Sequence, residues 1–189
     1  MKLTPLEIEG AWLSESDVWR DNRGHLNEWF KHKEIFEKTG IDFSVQQANV
    51  SSSKKGVIRG IHFSCAPEGQ AKWVSCISGA ILDVVVDTRP TSPTFRKYAS
   101  VELKGGDGRA VLIKHGLGHG FISQQDQSVV AYLISSEFNP QHEIGFSPLD
   151  PTLEINWQME RLGDLNVTLS EKDLVAPTLS DLLATIKEK

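Results

Sequence analysis

Ala80-Ile-Leu-Asp-Val-Val-Val-Asp-Thr88 is rich in β-branched residues and runs into Arg89-Pro90, the pattern of a strand and its stop. Ser128-Val-Val-Ala-Tyr-Leu-Ile134 is a second run of this kind, and Arg109-Ala-Val-Leu-Ile113 a shorter third. Gly79, the Gly105-Gly106-Asp107-Gly108 cluster and Gly116 to Gly120 are placed to turn the chain between them. No amphipathic helix intervenes, so the middle of the chain predicts an all-β sandwich or barrel. Helix is expected only at the edges. Lys31 to Thr39 predicts a short helix closed by Gly40. Leu179, Leu182, Leu183 and Ile186 recur at helical spacing within 178–189, with Thr178 and Asp181 as a cap. The chain shows no internal repeat or linker, and its 189 residues are expected to form a single domain, 1–189.

The formal net charge of -5 argues against nucleic acid as a partner. Any bound anion must therefore be held by a few focused Arg and Lys side chains. Met1-Lys2-Leu3-Thr4-Pro5 lacks the apolar run of a signal peptide, and no apolar stretch approaches the ~20 residues that span a bilayer. A cytoplasmic protein without a membrane partner is the expectation. Cys65 and Cys76 match no zinc spacing and are read as reduced thiols.

Chemistry-bearing residues concentrate in Gln47-Ala-Asn-Val-Ser-Ser-Ser-Lys-Lys-Gly-Val-Ile-Arg-Gly-Ile-His-Phe63, where amides, Arg59 and His62 stand among glycines that let backbone approach a ligand. His62 alone could equally be a packed core histidine. Gly118-His-Gly-Phe121 adds a second histidine beside a turn. Leu169-Ser-Glu-Lys-Asp173 adds a carboxylate and a lysine in a loop before the last helix.

With Asp21-Asn-Arg-Gly24, Gly56-Val-Ile-Arg-Gly-Ile-His62, Gly69-Gln-Ala-Lys72, Asn139-Pro-Gln-His-Glu143 and Leu149-Asp-Pro151, these two stretches make seven motifs in order over nearly the whole chain. In this order they resemble the dTDP-4-dehydrorhamnose 3,5-epimerase family, the RmlC-like cupins. The resemblance implies a cupin-type jelly-roll β-barrel with a few short peripheral helices, forming a homodimer by exchange of N-terminal strands. It implies epimerisation at C3 and C5 of a dTDP-4-keto-6-deoxyhexose, with neither cofactor nor metal.

The implied chemistry starts from the C4 ketone, which acidifies the hydrogens on C3 and C5 because the carbanion delocalises into an enolate. By resemblance His62 is the base, suited to the task by an imidazole pKa of ~6.5. Asp173 would fix its tautomer, as the aspartate does for the histidine of serine hydrolases. Tyr132 is the acid; alternation along its strand places it on one face with Val130 and Ile134. Lys72 would stabilise the enolate oxygen. His119 is implied to be a polar contact to substrate, and Arg23 and Arg59 to grip the diphosphate through guanidinium forks. Glu28, Gln47, Asn49, Glu143 and Lys172 match further nucleotide- and sugar-binding positions. Phe138 stands where the family usually has a tyrosine stacked on thymine; it keeps the stacking face and loses the hydroxyl.

Three rival readings follow from the same residues. Relatives in antibiotic-sugar pathways invert only C3 or only C5. A metal-dependent cupin usually presents an H-x-H pair, which Gly60 denies to His62. A silent sugar-nucleotide binder would need no base, orienting carboxylate and acid together.

Overall fold

The computed structural model describes residues 1–66 and 69–187. The chain opens with strands β1 (Lys2–Pro5), β2 (Ala11–Glu15), β3 (Val18–Asp21) and β4 (Gly24–Asn27), then helix α1 (His32–Thr39). β5 (Gln47–Ser53), β6 (Ile58–Ser64), β7 (Lys72–Ser78), β8 (Ala80–Asp87) and β9 (Tyr98–Lys104) follow. Next come β10 (Arg109–Ile113), β11 (Leu117–Ser123), β12 (Ser128–Ile134) and β13 (Glu143–Gly145), and the chain ends in helices α2 (Glu171–Leu174) and α3 (Leu179–Lys187).

Successive strands from β5 to β8 alternate between two antiparallel sheets, and the chain keeps crossing between them further on. One sheet runs in the order β1-β2-β10-β7-β12-β5, the other β13-β6-β11-β8-β9, while β3 and β4 pair only with each other. This is an all-β, cupin-like jelly roll. Its two main sheets face each other rather than closing into one continuous hydrogen-bonded cylinder. Between them Val74, Val111 and Val130 pack against Ile81, Val85 and Phe121.

Both sheets are also covered outside, which explains the unbroken apolar run of β8. Leu82, Val84 and Val86 point away from the central core and pack beneath Trp157, Leu162 and Leu179. A strand buried on both faces loses the usual polar alternation. Across the molecule, Trp73 and Leu112 turn outward to meet Ile35 of α1 and Phe43. Burial of one such side chain contributes about 1.5–3 kcal/mol.

α1 begins one residue later than expected and stops at Gly40, whose left-handed φ of 71° lets its N–H reach Phe36 O at 2.9 Å. α3 has the expected cap: Thr178 Oγ1 accepts the Asp181 N–H at 3.2 Å and donates to its carboxylate at 2.7 Å. The last residues of that expected helix, 188–189, lie outside the described residues, as do Pro67 and Glu68 of the stretch before Lys72. Cys65 is exposed and Cys76 buried, and both are free thiols. Among the described residues no helix is long and apolar enough to cross a membrane.

Two local expectations need correction. Leu169 to Asp173 is not a loop throughout, because Ser170 caps α2 by accepting the Asp173 N–H at 3.1 Å. The stretch from Gly116 to Gly120 is not all turn: the turn lies at His115 and Gly116, and Gly118, His119 and Gly120 follow it inside β11. Their glycines serve close packing, since a Cβ on Gly118 or Gly120 would stand 2.6 or 2.7 Å from the Ile61 side chain.

Candidate active site

A cavity of about 530 Å³ opens between the two sheets, within the range of small-molecule sites. Its walls draw on β5, β7 and β12 from one sheet and on β6, β11 and β13 from the other, with the segment before α2 closing one side.

His62 lies on β6, directly opposite His119 of β11 on one side and Gly145 of β13 on the other. Gly145 leaves room for the imidazole, for a Cβ there would come within 2.8 Å of His62 Cδ2. Asp173 Oδ1 stands 2.7 Å from His62 Nε2. The carboxylate is delivered by a strap: Ile58 N–H donates to Thr168 O at 3.0 Å and Thr168 N–H to Gly56 O at 2.9 Å, and α2 follows. An ionised Asp173 can only accept, so Nε2 carries the proton and Nδ1 keeps its lone pair. Nδ1 has no protein hydrogen-bond partner among the described residues. Burial holds His62 below its ordinary pKa of 6.5, outweighing the opposing pull of Asp173. The ring is therefore neutral at pH 7.

Tyr132 enters from the opposite sheet, on β12. Its ring stands edge-on to His119 at 6.0 Å between centroids, and tilted to Phe121 at 6.5 Å. Burial pushes the phenol well above its ordinary value, so it stays protonated through the physiological range. Lys72, the first residue of β7, reaches across to donate from Nζ to His62 O at 3.1 Å. Burial lowers its pKa to about 8, against the raising charges of Glu143 and Asp83. A proton acceptor and a proton donor thus stand on opposing sheets, with a cation beside them.

The remaining residues expected at a site fall into two groups. Asn49, Arg59, His119, Phe138 and Glu143 line the same cavity. Gln47 supports two of them, donating to Asn49 Oδ1 at 2.8 Å and accepting the Phe138 N–H at 2.8 Å. Arg59 is braced by Ser53 Oγ at 3.0 Å and Ser52 O at 3.2 Å. Lys172 stands 3.6 Å from Glu143. Arg23 and Glu28 are not brought to this cavity. Arg23 lies at the tip of the separate β3–β4 hairpin, paired with Asp21, and Glu28 pairs with Lys31.

Sequence reasoning missed Asp83 and Ser51. Asp83 accepts from His119 Nε2 at 2.7 Å, and both residues are buried. An acid in the middle of the apolar β8 run was the available signal, since buried charge needs a partner. His62 and His119 are thus each committed to their own carboxylate. At position 60 no side chain fits, because a Cβ would stand 2.5 Å from Gly120 Cα. Ser51 Oγ lies 3.3 Å from the Tyr132 hydroxyl.

Comparison with known proteins agrees with this architecture. Residues 5–181 match the family model described as dTDP-4-dehydrorhamnose 3,5-epimerase. The dTDP-4-dehydrorhamnose 3,5-epimerase of Mycobacterium tuberculosis is 40% identical over 98% of this chain and 91% of its own. A Streptomyces dTDP-4-dehydro-6-deoxyglucose 3-epimerase is 43% identical over 93% and 88% of the two chains. The solved Mycobacterium tuberculosis rmlC epimerase superposes with a TM-score of 0.94 at 40% identity, covering 98% of this chain and 92% of that one. ChmJ, a 3'-monoepimerase from Streptomyces bikiniensis solved in complex with dTDP-quinovose, superposes with a TM-score of 0.89 at 42% identity, covering 96% and 89%. The jelly roll and its cavity define an isomerase of the cupin-like class. The chain belongs to the dTDP-4-dehydrorhamnose 3,5-epimerase family.

Proposed function

We propose that the protein, acting as one domain, converts dTDP-4-dehydro-6-deoxy-D-glucose to dTDP-4-dehydro-L-rhamnose by inverting C3 and C5. The observation that carries this reading is His62 on one sheet, paired with Asp173 of α2, with Tyr132 on the other sheet and Lys72 in the same cavity. Neutral His62 takes a proton from the carbon beside the ketone through Nδ1, while Asp173 stabilises the imidazolium that forms. The Lys72 ammonium holds the charge that develops on the C4 oxygen. Tyr132 returns a proton to the opposite face, completing the inversion. Substrate and product are isomers, so the reaction requires no net electron transfer.

Phe138 offers a face on which the thymine can stack, and Arg59 a guanidinium for the diphosphate. Asn49, Gln47, His119, Glu143 and Lys172 supply polar contacts around the sugar nucleotide. A homodimer is part of the reading, because the β3–β4 hairpin pairs with neither main sheet and exposes Trp19 and Leu26. Exchange of N-terminal elements between two copies would carry Arg23 and Glu28 to a neighbouring cavity. A cytoplasmic setting goes with the free thiols of Cys65 and Cys76.

Relatives at 40% and 43% identity carry names for both double and C3-only inversion, so identity alone does not choose between them. The carbons that both exchange their hydrogen and reverse their configuration do.

Tyr132→Phe tests the division of labour. The variant keeps the base and the oxyanion donor, so hydrogen exchange with solvent is expected to stay within about tenfold of normal. Inverted product is expected to fall by roughly 10²-fold, the lower range for loss of a positioned acid. Solvent exchange and product are both read by NMR in D2O. Equal loss of the two would remove Tyr132 as the acid.

A further inference from the structure

Each inversion leaves both catalytic groups in the wrong state for the next. His62 holds the proton taken from carbon, and Tyr132 has given one up. Before a second carbon can be inverted, or another substrate processed, the phenolate must regain its proton. Among the described residues Tyr132's hydroxyl has one side-chain hydrogen-bond partner, Ser51 Oγ at 3.3 Å. His119 and Phe121 pack against its ring, which also lines the cavity.

Ser51 sits on β5, the edge strand of the six-stranded sheet, where it is half-buried and lines the cavity. Residues at alternate positions of a strand share a face, so Gln47, Asn49, Ser51 and Ser53 form one polar stripe. Within it Gln47 is bonded to Asn49, and Ser53 accepts from Arg59. Ser51 is the member turned to the phenol. We infer that Ser51 is the relay through which Tyr132 recovers its proton from solvent after each inversion. The inference deepens the epimerase reading and rests on it.

The step balances without any redox partner. The phenolate oxygen takes the Ser51 hydroxyl proton while Ser51 Oγ takes a proton from water. One O–H bond of the serine breaks as another forms. The hydroxide left in solvent is neutralised by the proton that His62 releases. The two transfers run together, because a free serine alkoxide is far more basic than a phenolate. A relay must also point its proton either way. At 3.3 Å the contact is longer than the usual hydroxyl pair, and either oxygen can donate.

Ser51→Ala and Ser51→Thr, assayed with dTDP-4-dehydro-6-deoxy-D-glucose, test this. With substrate in excess, Ser51→Ala is expected to lose about tenfold in kcat at unchanged KM, less than removal of a direct acid or base. With enzyme in excess its first inversion is expected to run at the normal rate, because every molecule starts with a protonated Tyr132. Ser51→Thr keeps the hydroxyl and is expected to recover most of the loss. If the first inversion slows as much as later turnovers, the serine merely positions the ring, and the relay is wrong. An unchanged kcat overturns it too. Absence of any inversion by the unaltered protein would sink the epimerase reading, and the relay with it.

Discussion

Replacing His62 by alanine is expected to cut hydrogen exchange at both C3 and C5 by about 10²–10⁴-fold, the usual loss on removing a positioned general base. The expectation follows from the geometry of the ring. Asp173 occupies Nε2 at 2.7 Å, which leaves Nδ1 as the nitrogen able to accept a proton. Burial keeps the imidazole neutral at pH 7, and the carboxylate behind it stabilises the cation once formed. Alanine removes the base and also strands a buried carboxylate, which can cost stability. His62→Gln separates the two effects, since its longer amide reaches the position of Nε2 and can still donate toward Asp173. Both variants should lose exchange, while the glutamine variant should retain the unfolding midpoint of the unaltered protein. Near-normal exchange in a folded His62→Gln variant would remove His62 as base.

Lys72→Met is expected to lower kcat by roughly 10²–10³-fold, the range for one preorganised donor to an oxyanion. Methionine approximates the length of the lysine stem, so the packing beside Trp73 is largely kept. The pH profile gives a second readout. His62 must be neutral to work, so activity rises with pH through a value below 6.5. Lys72 must be charged, so activity falls as pH rises through about 8. The result is a bell, with its upper limb belonging to Lys72. In Lys72→Met that upper limb should vanish from the residual activity, and in Lys72→Arg it should move beyond the measured range. A limb near pH 8 that persists in the methionine variant would assign it to another group.

The central strands were legible because their sequence obeys their burial. β10 and β12 have the bounds their apolar runs predict, and β8 ends one residue early, at Asp87. Asp87 accepts from Arg89, Ser92 and Thr94, so its carboxylate anchors the turn that follows. His62, Lys72 and Asp173 were singled out through motif order and Tyr132 through the alternation of its strand and the family resemblance, and the fold brings all four to one cavity. Position along the chain could not show how this happens. Asp173 reaches His62 across 111 residues only because the Thr168 strap pairs beside β6. Ser51 was hidden in a run of serines, and its distinction is a cross-strand neighbour on β12. Asp83 looked like one polar residue in a strand, until its partner proved to be His119 on the adjacent strand. The β3–β4 hairpin shows the opposite failure. Its motif is present, yet the pairing that would bring Arg23 to a cavity is not written within this chain's own two main sheets.

One isotope experiment bears on the whole scheme. Incubate the unaltered protein with dTDP-4-dehydro-6-deoxy-D-glucose in D2O and follow the sugar by NMR. Deuterium appearing at both C3 and C5, with the stereochemistry at each reversed, is the predicted spectrum. A sugar that binds yet keeps both of its original hydrogens would contradict it.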